Sequence, residues 1–124
     1  MHEVLTTSHF DKWFANVDNI GKKDILAIVE VLKNFGPTLG RPYVDTLKGS
    51  KIPNLKELRI RSIGRPFRVL FIFDVKRRAI LLIGGNKAND KKFYKKYILI
   101  AEKIYNQYTK EILKNEEKQK AEKT

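Results

Sequence analysis

The chain contains no cysteine, two histidines and one tryptophan among its 124 residues. Without thiols there can be no disulfides and no cysteine-based zinc or redox centres. His2 and His9 both lie at the N-terminus, which argues against a histidine-pair nuclease or a histidine metal site. The acidic residues are scattered, and no pair has the spacing of a two-metal phosphodiesterase centre. Serine triads lack a histidine near any serine motif. No apolar run approaches the ~20 residues of a membrane span, and Ala79 to Ile83 is only strand-sized. The opening MHEVLTTSHF lacks the basic-then-apolar order of a signal peptide, so a cytoplasmic protein without membrane partners is expected. The segment GGNKAND at 84–90 is neither a P-loop nor a dinucleotide fingerprint, and no cofactor is expected.

Positive charge is abundant. Lys+Arg 26 against Asp+Glu 14 gives a net +12 and a pI near 9.9. A field of that sign attracts polyanions. A plain lysine-rich surface is the bland explanation. Nucleic acid or the ribosome is the better one, because many of the charges fall on ordered elements rather than in one tail. A hydrophobic fraction of 42% suits one globular domain at this length. We place it at 1–114, followed by a polar tail at 115–124 without an apolar stripe, expected to fray or be disordered.

Within the domain, residues 2–7 suit a short strand. Ser8-x-x-Asp11 resembles a helix-capping signal ahead of Phe10, Trp13, Phe14 and Val17. Gly21 breaks this helix, and a second follows with Ile25, Ile28, Val29, Leu32 and Phe35 on one face, stopped by Gly36-Pro37. Residues 36–54 have no periodicity and read as an ordered connecting loop. Three strands come next, at 55–61, 67–74 and 79–83, the last two apolar enough for the middle of a covered sheet. The final helix starts near Asp90 and repeats Tyr94, Tyr97, Ile98, Ala101, Ile104, Tyr105 and Tyr108 along one face. The fold class is therefore α+β: an N-terminal helical hairpin and a C-terminal helix packed on a small, mainly antiparallel sheet.

Candidate chemistry lies on that sheet. Two-residue alternation puts Glu57, Arg59 and Arg61 on one face of a strand, and Arg68 stands on the next strand beyond a turn at 62–66. Such a cluster can stabilise a pentavalent phosphate transition state through planar, permanently charged forks. It can equally be a solvent-facing strand in which Glu57 pairs with arginines. Lys87 follows the third of these strands, and Tyr94 falls in the first turn of the last helix. A lysine or tyrosine with a cation-lowered pKa can act as a general base, and a tyrosine can stack on a nucleobase. Packing within the apolar stripe is the alternative use of the Tyr94 ring. Lys91, Lys92, Lys95 and Lys96 read as a solvated helix face able to meet an RNA backbone.

The segments NLKELRIRSIGRPFRVLFIFD and AILLIGGNKANDKKFYKKYILIAEKIYNQY, with F-x-x-W-F at 10–14 and GPTLGRPYVDTLKGS at 36–50, resemble the RelE/ParE toxin superfamily, nearest to its phage-derived, HigB-like branch. The resemblance covers roughly residues 3–110. It implies the toxin of a type II toxin–antitoxin pair, a ribosome-dependent mRNA endoribonuclease that works without metal, neutralised by a helix-turn-helix antitoxin. DNA would be met only indirectly, through the antitoxin complex. Carried over by position, the catalytic set is Arg59, Arg68, Lys87 and Tyr94; Arg61, Arg65, Lys91, Lys92 and Lys95 are expected to bind RNA beside it. Two positions depart from the RelE-type pattern: Glu57 replaces a lysine and Ala88 replaces a second basic residue. A ParE-like gyrase inhibitor and a non-catalytic basic RNA- or ribosome-binding domain are the rival expectations.

Overall fold

The computed structural model describes residues 1–122. Its elements run β1 (Val4–Thr6), α1 (Ser8–Ala15), α2 (Asn19–Phe35), β2 (Val44–Thr46), β3 (Lys56–Ser62), β4 (Arg65–Phe73), β5 (Ala79–Asn86) and α3 (Phe93–Glu122). The five strands form one sheet in the order β1-β5-β4-β3-β2. Only the β1–β5 pair is parallel, so the expected α+β class with a mainly antiparallel sheet is what the chain adopts.

The strand periodicity builds two cores, one on each face. Leu58, Ile60, Phe67, Val69, Phe71 and Leu81 meet Phe10, Ile25, Val29 and Leu32 of the helical hairpin. Leu70, Ile72, Ile80 and Leu82 meet Phe93, Ala101 and Ile104 of α3. Because β4 and β5 are covered on both sides, their sequences are continuously apolar. A register shift after Leu70 accommodates one extra residue on β5.

Several boundaries differ from expectation for local reasons. Thr7 caps α1 in place of Ser8: its hydroxyl accepts from the Phe10 amide at 3.2 Å and lies 2.9 Å from the Leu82 carbonyl, so one side chain caps the helix and ties it to β5. The break between α1 and α2 falls before Gly21, because Asp18 caps α2 by accepting from the Gly21 amide at 2.8 Å. Gly21 sits buried inside the helix. The segment 36–54 contains the edge strand β2, too short to show alternation. The β3–β4 loop is the two-residue turn Ile63-Gly64, with φ of 50° and 74°, rather than a turn spanning 62–66. Helix α3 continues to Glu122 through a run rich in lysine, glutamate and alanine, all good helix formers; of the tail, 123–124 lie outside the described residues.

Packing accounts for the two glycines of GGNK. Gly84 faces the Trp13 ring and Gly85 the Tyr97 ring on opposite sides of β5, and a Cβ on Gly85 would lie 2.5 Å from Tyr97. The glycines let an aromatic ring close down on each face of the sheet.

Candidate nucleic-acid interface

Helix α3 packs mainly on β5 and β4 and reaches β3 through Tyr94 at Glu57, so that face becomes open only further along β3, toward Arg61. Alternation projects Glu57, Arg59 and Arg61 onto that face, as the sequence predicts, and Arg68 joins them from β4. The tight turn places Arg59 directly opposite Arg68, closer in register than the longer turn had suggested. Two like charges facing each other across strands repel, and Glu57 offsets this.

Glu57 is the centre of the cluster, with 2% of its surface exposed. Its Oε2 accepts from Arg59 Nε at 3.2 Å and Nη2 at 3.1 Å. Its Oε1 accepts from the Tyr94 hydroxyl at 2.7 Å and lies 3.5 Å from Arg68 Nε. A second carboxylate extends the ladder: Asp45 Oδ2 sits 3.3 Å from Arg59 and 3.0 Å from Arg41. The Arg41 side chain, then the Thr46 amide, hold the Asp45 carboxyl below its usual range. Anions thus alternate with cations along Arg41, Asp45, Arg59, Glu57 and Arg68.

Arg68 has donors to spare. Nη1 donates to the Phe67 carbonyl at 3.0 Å, while Nε is buried without a hydrogen-bond partner. The side chain as a whole is 13% exposed. That Nε lies 3.5 Å from Glu57 Oε1, whose charge offsets part of the ~1–3 kcal/mol that an unpaired buried donor costs.

Tyr94 joins α3 to this cluster. Burial first, then the hydrogen bond to Glu57, raises its phenol pKa above the ordinary 10.0. The hydroxyl is held as a proton donor, opposite to the lowered pKa a tyrosine base requires. Its ring also packs edge-on against Phe93 at 5.4 Å, so packing and polar roles coexist. Lys87 lies over the ring with Nζ 5.2 Å from the centroid. Residues 87–90 form the turn between β5 and α3, in which Asp90 accepts from the Lys92 amide and pairs with Lys96 at 2.8 Å. Ala88 is exposed in that turn.

Of the remaining candidates, Arg61 is exposed on the same face. Lys91, Lys92 and Lys95 are exposed around the start of α3. Arg65 is elsewhere: its guanidinium donates twice to Asp18 at 3.0 Å and stacks over Phe67 at 4.9 Å, on the helical-hairpin side. Its strand parity, one off from Arg68, sends it to the other face. The sequence reading missed Asp45 and Arg41, which sit in a segment without periodicity. It also treated Glu57 as a departure rather than as the hub. Among the described residues, no group of three or more histidine, aspartate or glutamate side chains gathers to hold a metal ion.

A groove of about 440 Å³ opens beside the cluster, lined by Ile28, Pro42, Tyr43, Ile60 and the three arginines 59, 61 and 68. No helix among the described residues is long and apolar enough to cross a membrane.

Comparison with known proteins places residues 12–106 in a family described as "Phage derived protein Gp49-like". Two relatives come from Mycobacterium tuberculosis (strain ATCC 25618 / H37Rv). A protein named "Putative toxin HigB3" is 40% identical over 100 residues, covering 80% of this chain and 86% of its own length. Another named "Putative toxin HigB2" is 48% identical over 77 residues, covering 61% of this chain and 38% of its own length.

Proposed function

We propose that this chain, which belongs to the phage-derived Gp49-like family, is the toxin of a type II toxin–antitoxin pair and a ribosome-dependent, metal-independent mRNA endoribonuclease. The toxin reading is supported by relatives named as HigB toxins. The observation that supports the nuclease reading is the cluster in which Arg59, Arg68 and the Tyr94 hydroxyl converge on the single buried carboxylate of Glu57.

In the proposed reaction the ribose 2′-hydroxyl attacks the adjacent phosphorus. The O2′–P bond forms, the P–O5′ bond breaks, and a 2′,3′-cyclic phosphate and a 5′-hydroxyl result. Arg59 and Arg61 position phosphates, and Arg68 stabilises the charge that builds on the pentavalent phosphorus. Glu57, the buried carboxylate among them, takes the 2′-hydroxyl proton as the phosphate displaces it from Arg68. Tyr94, held protonated, gives a proton to the leaving 5′-oxygen, with the Lys87 ammonium beside it favouring the phenolate that results. Exposed lysines at an N-terminal helix turn oppose the helix dipole; at 91, 92 and 95 they make sense facing a phosphate backbone. A helix-turn-helix antitoxin is the expected neutralising partner.

Inducible expression tests the reading. The unmodified chain should arrest growth and leave mRNAs cut within coding regions. Arg68→Ala and Arg68→Lys should relieve the arrest by about 10²–10³-fold in cleavage, the loss expected when one oxyanion-stabilising donor goes, while antitoxin binding persists. DNA damage with intact mRNA would instead point to gyrase poisoning. Salt-dependent ribosome binding without cleavage would point to a non-catalytic domain.

A further inference from the structure

Strand β2 pairs with β3 only from Lys56 to Leu58. Beyond that point, among the described residues, no strand covers the outer edge of β3. The chain instead turns away through Arg41 to Tyr43, tethered by the Arg59 amide donating to the Tyr43 carbonyl at 2.8 Å. The groove described above occupies this gap. At the edge of β3 it brings Ile28 and Ile60 from the hairpin side together with Tyr43 and with Arg59, Arg61 and Arg68 from the other face. Tyr43 is 37% exposed and joins no aromatic pair among the described residues.

We propose that Tyr43 is a stacking platform for one nucleobase of a single-stranded RNA, and that this groove is the base subsite beside the phosphate-binding arginines. The proposal rests on the RNA-binding reading above and adds what that reading lacks, a contact to something other than the backbone. Three features support it. The groove volume falls within the ~300–1,000 Å³ of small-ligand sites. Its lining joins one aromatic side chain and apolar groups to three arginines, the combination a base with its phosphate requires. The exposed Arg61 forms no ion pair among the described residues, leaving its fork for an incoming phosphate.

The test is fluorescence-anisotropy binding of a short single-stranded RNA, fully 2′-O-methylated so that binding is read without cleavage, to the full chain and to Tyr43→Phe, Tyr43→Leu, Tyr43→Ala and Arg61→Ala. Phenylalanine keeps the π-face and should bind within about twofold of the parent. Leucine and alanine should weaken binding about 5- to 100-fold, the loss of one base stack, without changing the salt dependence. Arg61→Ala should lower the salt slope by about one instead. Replacing nucleotides by abasic residues one at a time should reveal a single position at which the alanine variant loses nothing further. Two outcomes overturn the base subsite alone: leucine and alanine variants that bind like the parent while Arg61→Ala is weakened, or variants that lose affinity for a partner protein but not for RNA. The parent failing to bind this RNA both free and on the ribosome overturns the RNA reading with it.

Discussion

Replacing Glu57 by glutamine removes one negative charge from a side chain that is 2% exposed and holds three others in place. The amide keeps an oxygen for the Tyr94 hydroxyl and beside Arg68, but without its charge, and turns an NH₂ toward the donors of Arg59. Arg59 loses little, because it is 36% exposed and retains Asp45. Arg68 is 13% exposed and becomes an unpaired, largely buried cation. Breaking a fully buried pair destabilises by ~3–5 kcal/mol. With one long contact and partial exposure, we expect about 2 kcal/mol, or roughly 6–10 °C in Tm for a domain of this size. Binding should move the other way: with the competing carboxylate gone, Arg68 is free for phosphate, and methylated RNA should bind more tightly. Cleavage should fall, since the proton acceptor is lost. Arg68→Met alone should also destabilise, and the double variant Glu57→Gln/Arg68→Met should recover at least 1 kcal/mol over the sum of the two. Thermal melts, anisotropy and a cleavage assay read the three quantities. Additivity within ~0.5 kcal/mol together with full cleavage by Glu57→Gln would refute the cluster as drawn.

Other consequences are simpler. Burial and Glu57 raise the Tyr94 pKa, so the unfolded phenol ionises first; its stabilisation is complete below pH 10 and is lost as pH rises through the folded value. Tyr108, raised by burial, acts with the same sign, so melts between pH 8 and 11 should fall less steeply for Tyr94→Phe than for the parent; parallel curves would contradict the hydrogen bond. Gly85→Ala should destabilise by ~1–3 kcal/mol, because its Cβ would overlap the Tyr97 ring; chemical denaturation checks this, and an unchanged midpoint would mean the ring is not seated there. Arg65→Ala should leave RNA affinity and its salt slope unchanged while Arg61→Ala lowers the slope by about one, since Arg65 is committed to Asp18 on the opposite face. Equal losses from the two would contradict that assignment.

What could be read from the sequence was what depends on neighbours along the chain. Period-two alternation assigned Glu57, Arg59 and Arg61 to one face, and helical spacing gave the buried side of α2 and α3. Strand β2 was invisible because three edge residues in a loop leave no periodic trace. The pairing of Tyr94 with Glu57 spans 37 residues and that of Arg65 with Asp18 spans 47, so each depends on how a helix docks. The sign of the Tyr94 shift followed from that docking. Burial of the phenol first, and then the Glu57 carboxylate against its hydroxyl, outweigh the nearby Arg68, so the expected lowering became a raising. The turn at Ile63-Gly64 decided whether two arginines stood staggered or opposed. Pairing of Glu57 with the arginines was already one reading of the strand; what the third dimension added was its burial and its bond to Tyr94.

The most direct measurement of the central claim is the chemistry of the cut ends. Ribosome-bound mRNA should be treated with the purified chain and the fragments analysed by mass spectrometry, using message that carries either ribose or 2′-deoxyribose at the cleaved nucleotide. The account predicts a 2′,3′-cyclic phosphate and a 5′-hydroxyl from the ribose message and no cut at the deoxy position. Cleavage that persists at the deoxy nucleotide, or fragments ending in a 5′-phosphate, would contradict it.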